Sequence, residues 1–283
     1  MKRQLDSKIE TNLLAEDLWI SQINKDCTGQ QAFLAVRNDR VDIYHKGGKL
    51  FGYDKNGFKT HVKYASVISS SNKDYLTEKE LSAQRLISDF EMNYLRIKEN
   101  CANYSGVEAL GVSDIYHRHS YLSDSNVVVL DIEVSLDAVE KERKQDRIDI
   151  LLFNRSTKTL QFVEAKHFSN PDIWSTDSPK VLGQIARYQE QINLRKSEIL
   201  SAYSEYVQII NRVFGITLPE PIGIDPKPTL LIFGFDSNQR SGRLKGLITD
   251  NSHYAGIKCY PIGNIKKLKP ENLWNANAIV EKK

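Results

Sequence analysis

The chain has 283 residues, of which 40% are hydrophobic and 27% charged, with a formal net charge of +3 and three cysteines. That balance excludes an intrinsically disordered chain, and the lack of any apolar run near about 18 residues excludes a membrane span. Cys27, Cys101 and Cys259 are odd in number and far apart in sequence. This argues against a disulfide framework or a cysteine-built zinc site, and for a reducing, cytoplasmic setting. The opening MKRQLDSKIETNLLAEDLWI has Asp6 and Glu10 where a secretory leader needs an apolar core, so no signal peptide is expected. A charge of +3 neither requires nor excludes a nucleic-acid partner; the placement of the charges decides.

In chain order, residues 8–26 read as a short helix. Residues 30–64 carry strand-like runs (QAFLAVR, RVDIYH, KLFGYD, KTHVKYA) broken at Asn38-Asp39, Gly47-Gly48 and Asn56-Gly57, which predicts a small antiparallel meander. The Ser-rich, polar stretch 66–77 is the best boundary, dividing an N-terminal β-rich module (1–70) from a larger domain (77–283). Thr77 to Ala102 reads as a helix, with Thr77 and Glu80 spaced as a capping box. Strands are expected at Val127–Leu136, Arg147–Asn154 and Thr159–Phe168, the last two joined by a hairpin turn at Arg155–Lys158. Ser178-Pro179 opens a helical stretch to about Phe214, and Pro219, Pro221, Pro226 and Pro228 end it. Thr229–Asp236 is a nearly continuous apolar run, as a strand buried on both faces should be. A short helix near 239–249 and a strand at Gly256–Ile262 complete the chain. From residue 77 the order is α-β-β-β-α-β-α-β, an α/β (α+β) arrangement with a mixed central sheet flanked by helices.

Strand alternation decides which polar side chains meet. In LQFVEAKHF, Phe162, Glu164 and Lys166 share one face, while Val163 and Ala165 face the other way. A carboxylate and an ammonium on an otherwise apolar strand are costly to bury unless they serve each other or a ligand. The preceding strand places Asp149 among apolar neighbours, and simple hairpin register brings it beside Glu164. Two adjacent carboxylates repel, and a divalent cation between them resolves the conflict; oxygen ligands suit Mg²⁺ or Mn²⁺.

This pattern resembles the PD-(D/E)xK nuclease superfamily, with Asp149 followed by Glu164-Ala165-Lys166. Gln184-Ile185-Ala186-Arg187-Tyr188 is similar to the QxxxY element of RecB-like members. TEKEL (77–81), IEV (132–134), RIDIL (147–151), FVEAK (162–166) and QIARY (184–188) stand in an order that resembles the branched-structure- and mismatch-specific endonucleases of archaea and actinobacteria. The resemblance implies a restriction-endonuclease-like αβββαβ core. It implies that Asp149, Glu164 and the main-chain carbonyl of Ala165 hold the metal and that Lys166 orients or deprotonates water. Gln184 and Tyr188 would position a phosphate, and Glu80 would match the acidic helix residue. Glu133, beside Asp131 on the first strand, is a weaker candidate, and the two also read as solvent-facing. The implied function is Mg²⁺-dependent DNA hydrolysis, by an endonuclease more than an exonuclease, in restriction, repair or defence against foreign DNA. Two alternatives stand beside it: a catalytically inactive nuclease fold that binds nucleic acid or assembles with partners, and an RNA-directed nuclease or toxin.

Other motifs carry less. His117-Arg118-His119 lacks partner ligands at zinc spacing and reads as a loop pair, and residues 241–246 lack the spacing of a phosphate loop. Lys46, Lys49, Lys55 and Lys59 interleave with Tyr44, Phe51, Tyr53 and Phe58 in the meander. That pattern suits either phosphate contacts with base stacking, or a small β-domain with an aromatic core and solvated lysines. The module is accordingly read as a nucleic-acid-binding or dimerisation element, which leaves room for a homodimer.

Overall fold

The computed structural model describes residues 1–67, 77–79, 85–136, 147–175, 179–250 and 252–280. The chain divides into two compact units, Leu5–Gly106 and Val107–Lys283 with Met1–Gln4. The division therefore falls well after the 66–77 stretch expected as the boundary. It does so because the segment ending at residue 106 packs on the meander. No helix of the described residues is long and apolar enough to cross a membrane.

In the Leu5–Gly106 unit, helix α1 (Ser7–Ala15) precedes strands β1 (Phe33–Arg37), β2 (Arg40–His45), β3 (Gly48–Asp54) and β4 (Gly57–Lys59). They form the expected antiparallel sheet in sequential order. Asn56-Gly57 turns the chain as anticipated, with Gly57 at φ +87, a conformation that a side chain opposes. Helix α2 (Tyr94–Asn103) covers this sheet, and its Tyr94 ring stacks on Phe51 at 6.2 Å between centroids. The helix expected over 77–102 is thus much shorter. Ser66 and Leu86 pair as strands, and Glu80, the second member of the expected capping box, lies outside the described residues.

The larger unit begins with helix α3 (Val107–Arg118), which the periodicity did not predict. Its middle holds Gly111, which costs helix propensity. A Cβ at that position would overlap the Phe233 ring, so only glycine permits the close approach of this helix to the sheet. His117 and Arg118 belong to the last turn of α3, not to a loop.

Three antiparallel strands follow, β5 (Val127–Ser135), β6 (Arg147–Asn154) and β7 (Thr159–His167). The β6–β7 hairpin closes as predicted: Asn154 pairs with Thr159, and the Asn154 Oδ1 accepts from the N–H groups of Ser156 and Thr157 at 3.1 Å. The long helical stretch is two helices, α4 (Lys180–Leu194) and α5 (Lys196–Phe214), broken at Arg195 with φ −117. Each buries its own stripe, Val181, Ile185, Tyr188 and Ile192 on α4, and Tyr203, Tyr206, Val207 and Ile210 on α5. Pro179 stands at the cap position before α4, and Ser178 lies outside the described residues.

This helical crossover returns the chain parallel to β7, as parallel pairing requires. The short β8 (Gly223–Ile224) pairs the start of β7, and β9 (Thr229–Phe233) runs parallel to β7 and to β10 (Lys258–Ile262). The result is a mixed six-stranded sheet in the order β10-β9-β7-β6-β5, with β8 beside β7. All five residues of β9 are buried, as its apolar run implied. Val181 and Ile185 of α4 share a core with Leu230 and Ile232 of β9 and with Leu244 and Tyr254. The chain is therefore α+β, with a small antiparallel sheet and a mixed sheet flanked by helices.

Candidate active site

The β6–β7 ladder runs in simple register to Ile150 opposite Val163. One step beyond it, Asp149 leaves the regular pattern: its Oδ2 accepts the main-chain N–H of Ala165 at 2.7 Å. The carboxylate so becomes part of the strand pairing and stands beside Glu164. Alternation puts Glu164 and Lys166 on one face, and Lys166 Nζ lies 2.7 Å from Glu164 Oε1. Glu164 is 1% exposed and Lys166 7%. The second oxygen of Glu164, Oε2, is buried without a hydrogen-bond partner among the described residues.

Both acids are pushed towards their neutral forms. Burial, then the charge of Glu164, raises Asp149 well above the usual carboxylate range, against the pull of the Ala165 N–H and Lys166. Burial likewise pushes Glu164 up to about 7, although Lys166 favours its ionised form. For Lys166, burial disfavours the charge, but Glu164, Asp149 and Glu108 outweigh it and raise its pKa. The ammonium stays charged in a site that holds more acid than it can neutralise.

Gln184 and Tyr188 stand one turn apart on α4, as their spacing required. Gln184 Oε1 is also buried without a hydrogen-bond partner among the described residues. The Tyr188 hydroxyl donates to the carbonyl of Arg147 at 2.8 Å, and its closeness to Glu164 favours the ionised acid. This ties α4 to the strand that carries Asp149.

One residue of the site escaped the sequence reading. Glu108, in the first turn of α3, has Oε1 3.8 Å from Lys166 Nζ, while its Oε2 accepts from the N–H of His167 and from Asn170 Nδ2, both at 2.9 Å. The signal was an acid opening a helix just after Gly106, but that helix went unrecognised. Asp131 and Glu133 part company. Asp131 is not solvent-facing: it is 0% exposed, bound by Arg3 Nε at 3.1 Å and the Tyr203 hydroxyl at 2.8 Å. A register shift between Val129 and Asp131 and a φ of +50 at Glu133 break the alternation that would have aligned them. Glu133 instead pairs with Arg147 at 3.3 Å and adds to the upward push on Asp149.

The donor set fits a hard divalent cation: two buried carboxylates, with the charge of Glu164 pushing Asp149 up, and the unpartnered oxygens of Glu164 and Gln184. No three His, Cys, Asp or Glu side chains converge among the described residues, so main-chain and water oxygens would complete the shell. In the other unit, Lys49 lies 3.6 Å from Asp42 and Lys59 2.6 Å from Asp54, while Lys55 is exposed and Lys46 half-buried in a turn. Tyr44, Phe51 and Tyr53 are buried, so these aromatics build the core of the unit and are not an open stacking surface. No protein-family model, curated protein or solved structure matches the chain.

Proposed function

We propose that residues 107–283 form a metal-dependent nuclease of the PD-(D/E)xK type, with a restriction-endonuclease-like αβββαβ core in which α3 is the first helix. The observation that carries this is the half-satisfied Glu164, salt-bridged to Lys166 through one oxygen and with the other, Oε2, making no hydrogen bond among the described residues, beside an Asp149 that burial and the Glu164 charge push towards its neutral form. A bound Mg²⁺ or Mn²⁺ would supply charge for the phosphate oxygens and lower the pKa of a water. Asp149 and Glu164, with the main-chain carbonyl of Ala165, would hold the cation, and the Lys166 ammonium orients the attacking water and the phosphate oxygens as a charged donor. Glu108 keeps Lys166 in place, and Gln184 and Tyr188 position the scissile phosphate. DNA is the proposed substrate, cut internally in restriction, repair or defence, and the three buried thiols suit a cytosolic setting.

The test is cleavage of linear, branched, mismatched and single-stranded DNA, with RNA alongside, by purified protein in Mg²⁺ or Mn²⁺. Glu164→Gln and Lys166→Met should each abolish cleavage; cleavage that survives both overturns the reading. A metal-independent binding or assembly protein is the competing reading, favoured by the lack of three converging acidic or histidine ligands among the described residues. Cation titration separates the two, since binding alone needs no divalent ion.

A further inference from the structure

The segment that follows β9 carries charge that the chemistry above does not use. Residues 237–249, SNQRSGRLKGLIT, hold Arg240, Arg243 and Lys245 and no acid. The chain winds here in two π-helical turns, Arg240–Leu244 and Gly246–Asp250, and leaves helical geometry at Gly242 (φ −95, ψ −107). Such wide turns are rare and gather at functional sites. Leu244 and Leu247 are buried, while Arg240, Arg243 and Lys245 are exposed. The turns thus have an apolar side held in the core and a basic side facing solvent.

The register of the sheet fixes where that basic side lies. Leu230 and Ile232 of β9 stand beside Glu164 and Lys166 of β7, so all four share one face. Leu244 shares a core with Leu230 and Ile232 and with Val181 and Ile185 of α4. The basic turns are therefore anchored on the face that carries Glu164 and Lys166, against the helix that carries Gln184 and Tyr188. Lys180, exposed at the first position of α4, adds a cation immediately before Val181. Lys180, Arg240 and Arg243 have no carboxylate partner among the described residues.

One of these cations is held in place. The Arg243 guanidinium lies over the Trp174 ring, 3.9 Å from its centroid. Trp174 is itself pinned to the end of β7, its Nε1–H donating to the carbonyl of Phe168 at 2.7 Å. An arginine already seated on a ring loses less freedom when its N–H donors close on a phosphate.

We propose that Lys180, Arg240 and Arg243 form a clamp for the sugar–phosphate backbone of duplex DNA, gripping phosphates near the one cut at Glu164 and Lys166. The clamp rests on the nuclease reading for the position of that scissile phosphate. Three cations without acids suit a repeating anion, and contacts to phosphate alone carry no sequence information. The test is binding of short labelled duplexes to the full chain in EDTA over a series of KCl concentrations. Each phosphate contact adds about 0.9 to the steepness of log affinity against log salt. Lys180→Gln, Arg240→Gln and Arg243→Gln should each flatten that slope by about 1 and weaken two unrelated sequences equally. Lys227→Gln, exposed just before the opposite end of β9, should leave the slope unchanged. Trp174→Leu should flatten it as Arg243→Gln does, and Trp174→Phe, which keeps a ring, should restore it. Wild-type slopes in the three glutamine variants, an equal effect of Lys227→Gln, or displacement by polyglutamate as readily as by DNA overturns the clamp. A wild-type slope in Trp174→Leu overturns the role of the ring. Glu164→Gln should lose cleavage and keep the slope. Binding that the three variants weaken, without cleavage by the wild type, retains the clamp and defeats the nuclease reading, whereas cleavage with unaltered slopes defeats the clamp alone.

Discussion

Lys166 Nζ lies 2.7 Å from Glu164 Oε1, while Oε2 of the same buried carboxylate has no hydrogen-bond partner among the described residues. A buried charge satisfied on one side only is held at a cost, and such strain gathers where a ligand is to be bound.

That cost should be visible as a pH dependence. Burial raises Glu164 from 4.5 to about 7 in the folded chain, so the folded state keeps a proton that the unfolded state has lost. Its contribution is most favourable below about pH 4.5 and declines as pH rises to about 7. Gln mimics the protonated acid. Relative to Glu164→Gln, the metal-free wild type should therefore lose roughly 3 kcal/mol across that window. Denaturant melts at pH 5, 6, 7 and 8 in EDTA measure it, and parallel curves for the two proteins would contradict the assignment. Added Mg²⁺ should recover the difference at pH 8 only in the wild type.

Glu108 acts through Lys166 and the His167 backbone. Glu108→Gln keeps the acceptor for the His167 N–H and removes the charge beside Lys166. Cleavage should fall roughly tenfold in kcat with little change in KM, since one charge interaction near the ammonium is lost. Because the Glu108 charge also supports the protonated lysine, the basic limb of the pH–rate profile should move to lower pH in the variant. An unchanged profile would leave Glu108 a merely structural residue.

Gly111→Ala brings a methyl group into the Phe233 ring at the closest approach of α3 to β9. Overpacking of this kind costs about 1–3 kcal/mol. The denaturation midpoint should fall, and an unaltered midpoint would show that the helix can shift without cost.

Asp131 binds Arg3 and Tyr203 from the buried side of β5. Asp131→Ala leaves the Arg3 guanidinium without its carboxylate, at a cost of about 3–5 kcal/mol. Removing residues 1–4 as well should add little, because the two changes break the same contact. Additive losses, measured by thermal melts of the single and double variants, would refute the coupling.

Much of the proposed site was legible in the chain. Glu164 and Lys166 share the face that strand alternation gives them, the hairpin brings Asp149 beside them one step past the regular ladder, and Gln184 and Tyr188 stand one helical turn apart. These are local relations, set by repeats of two and 3.6 residues. Asp131 defeated the same rule, because a register shift and the positive φ of Glu133 interrupt the alternation. Glu108 was hidden by the glycine in its own helix.

The spacing of residues along the chain thus carries the meander, the hairpin, the buried parallel strand and the pairing of Glu164 with Lys166. Which helical acid reaches Lys166, what holds Asp131, and where the chain divides are settled only in three dimensions. Each depends on segments distant in sequence: α3 can approach β9 because Gly111 has no side chain, and Arg3 finds Asp131 from 128 residues away. Local periodicity records which face a side chain takes, and packing alone records what that face meets.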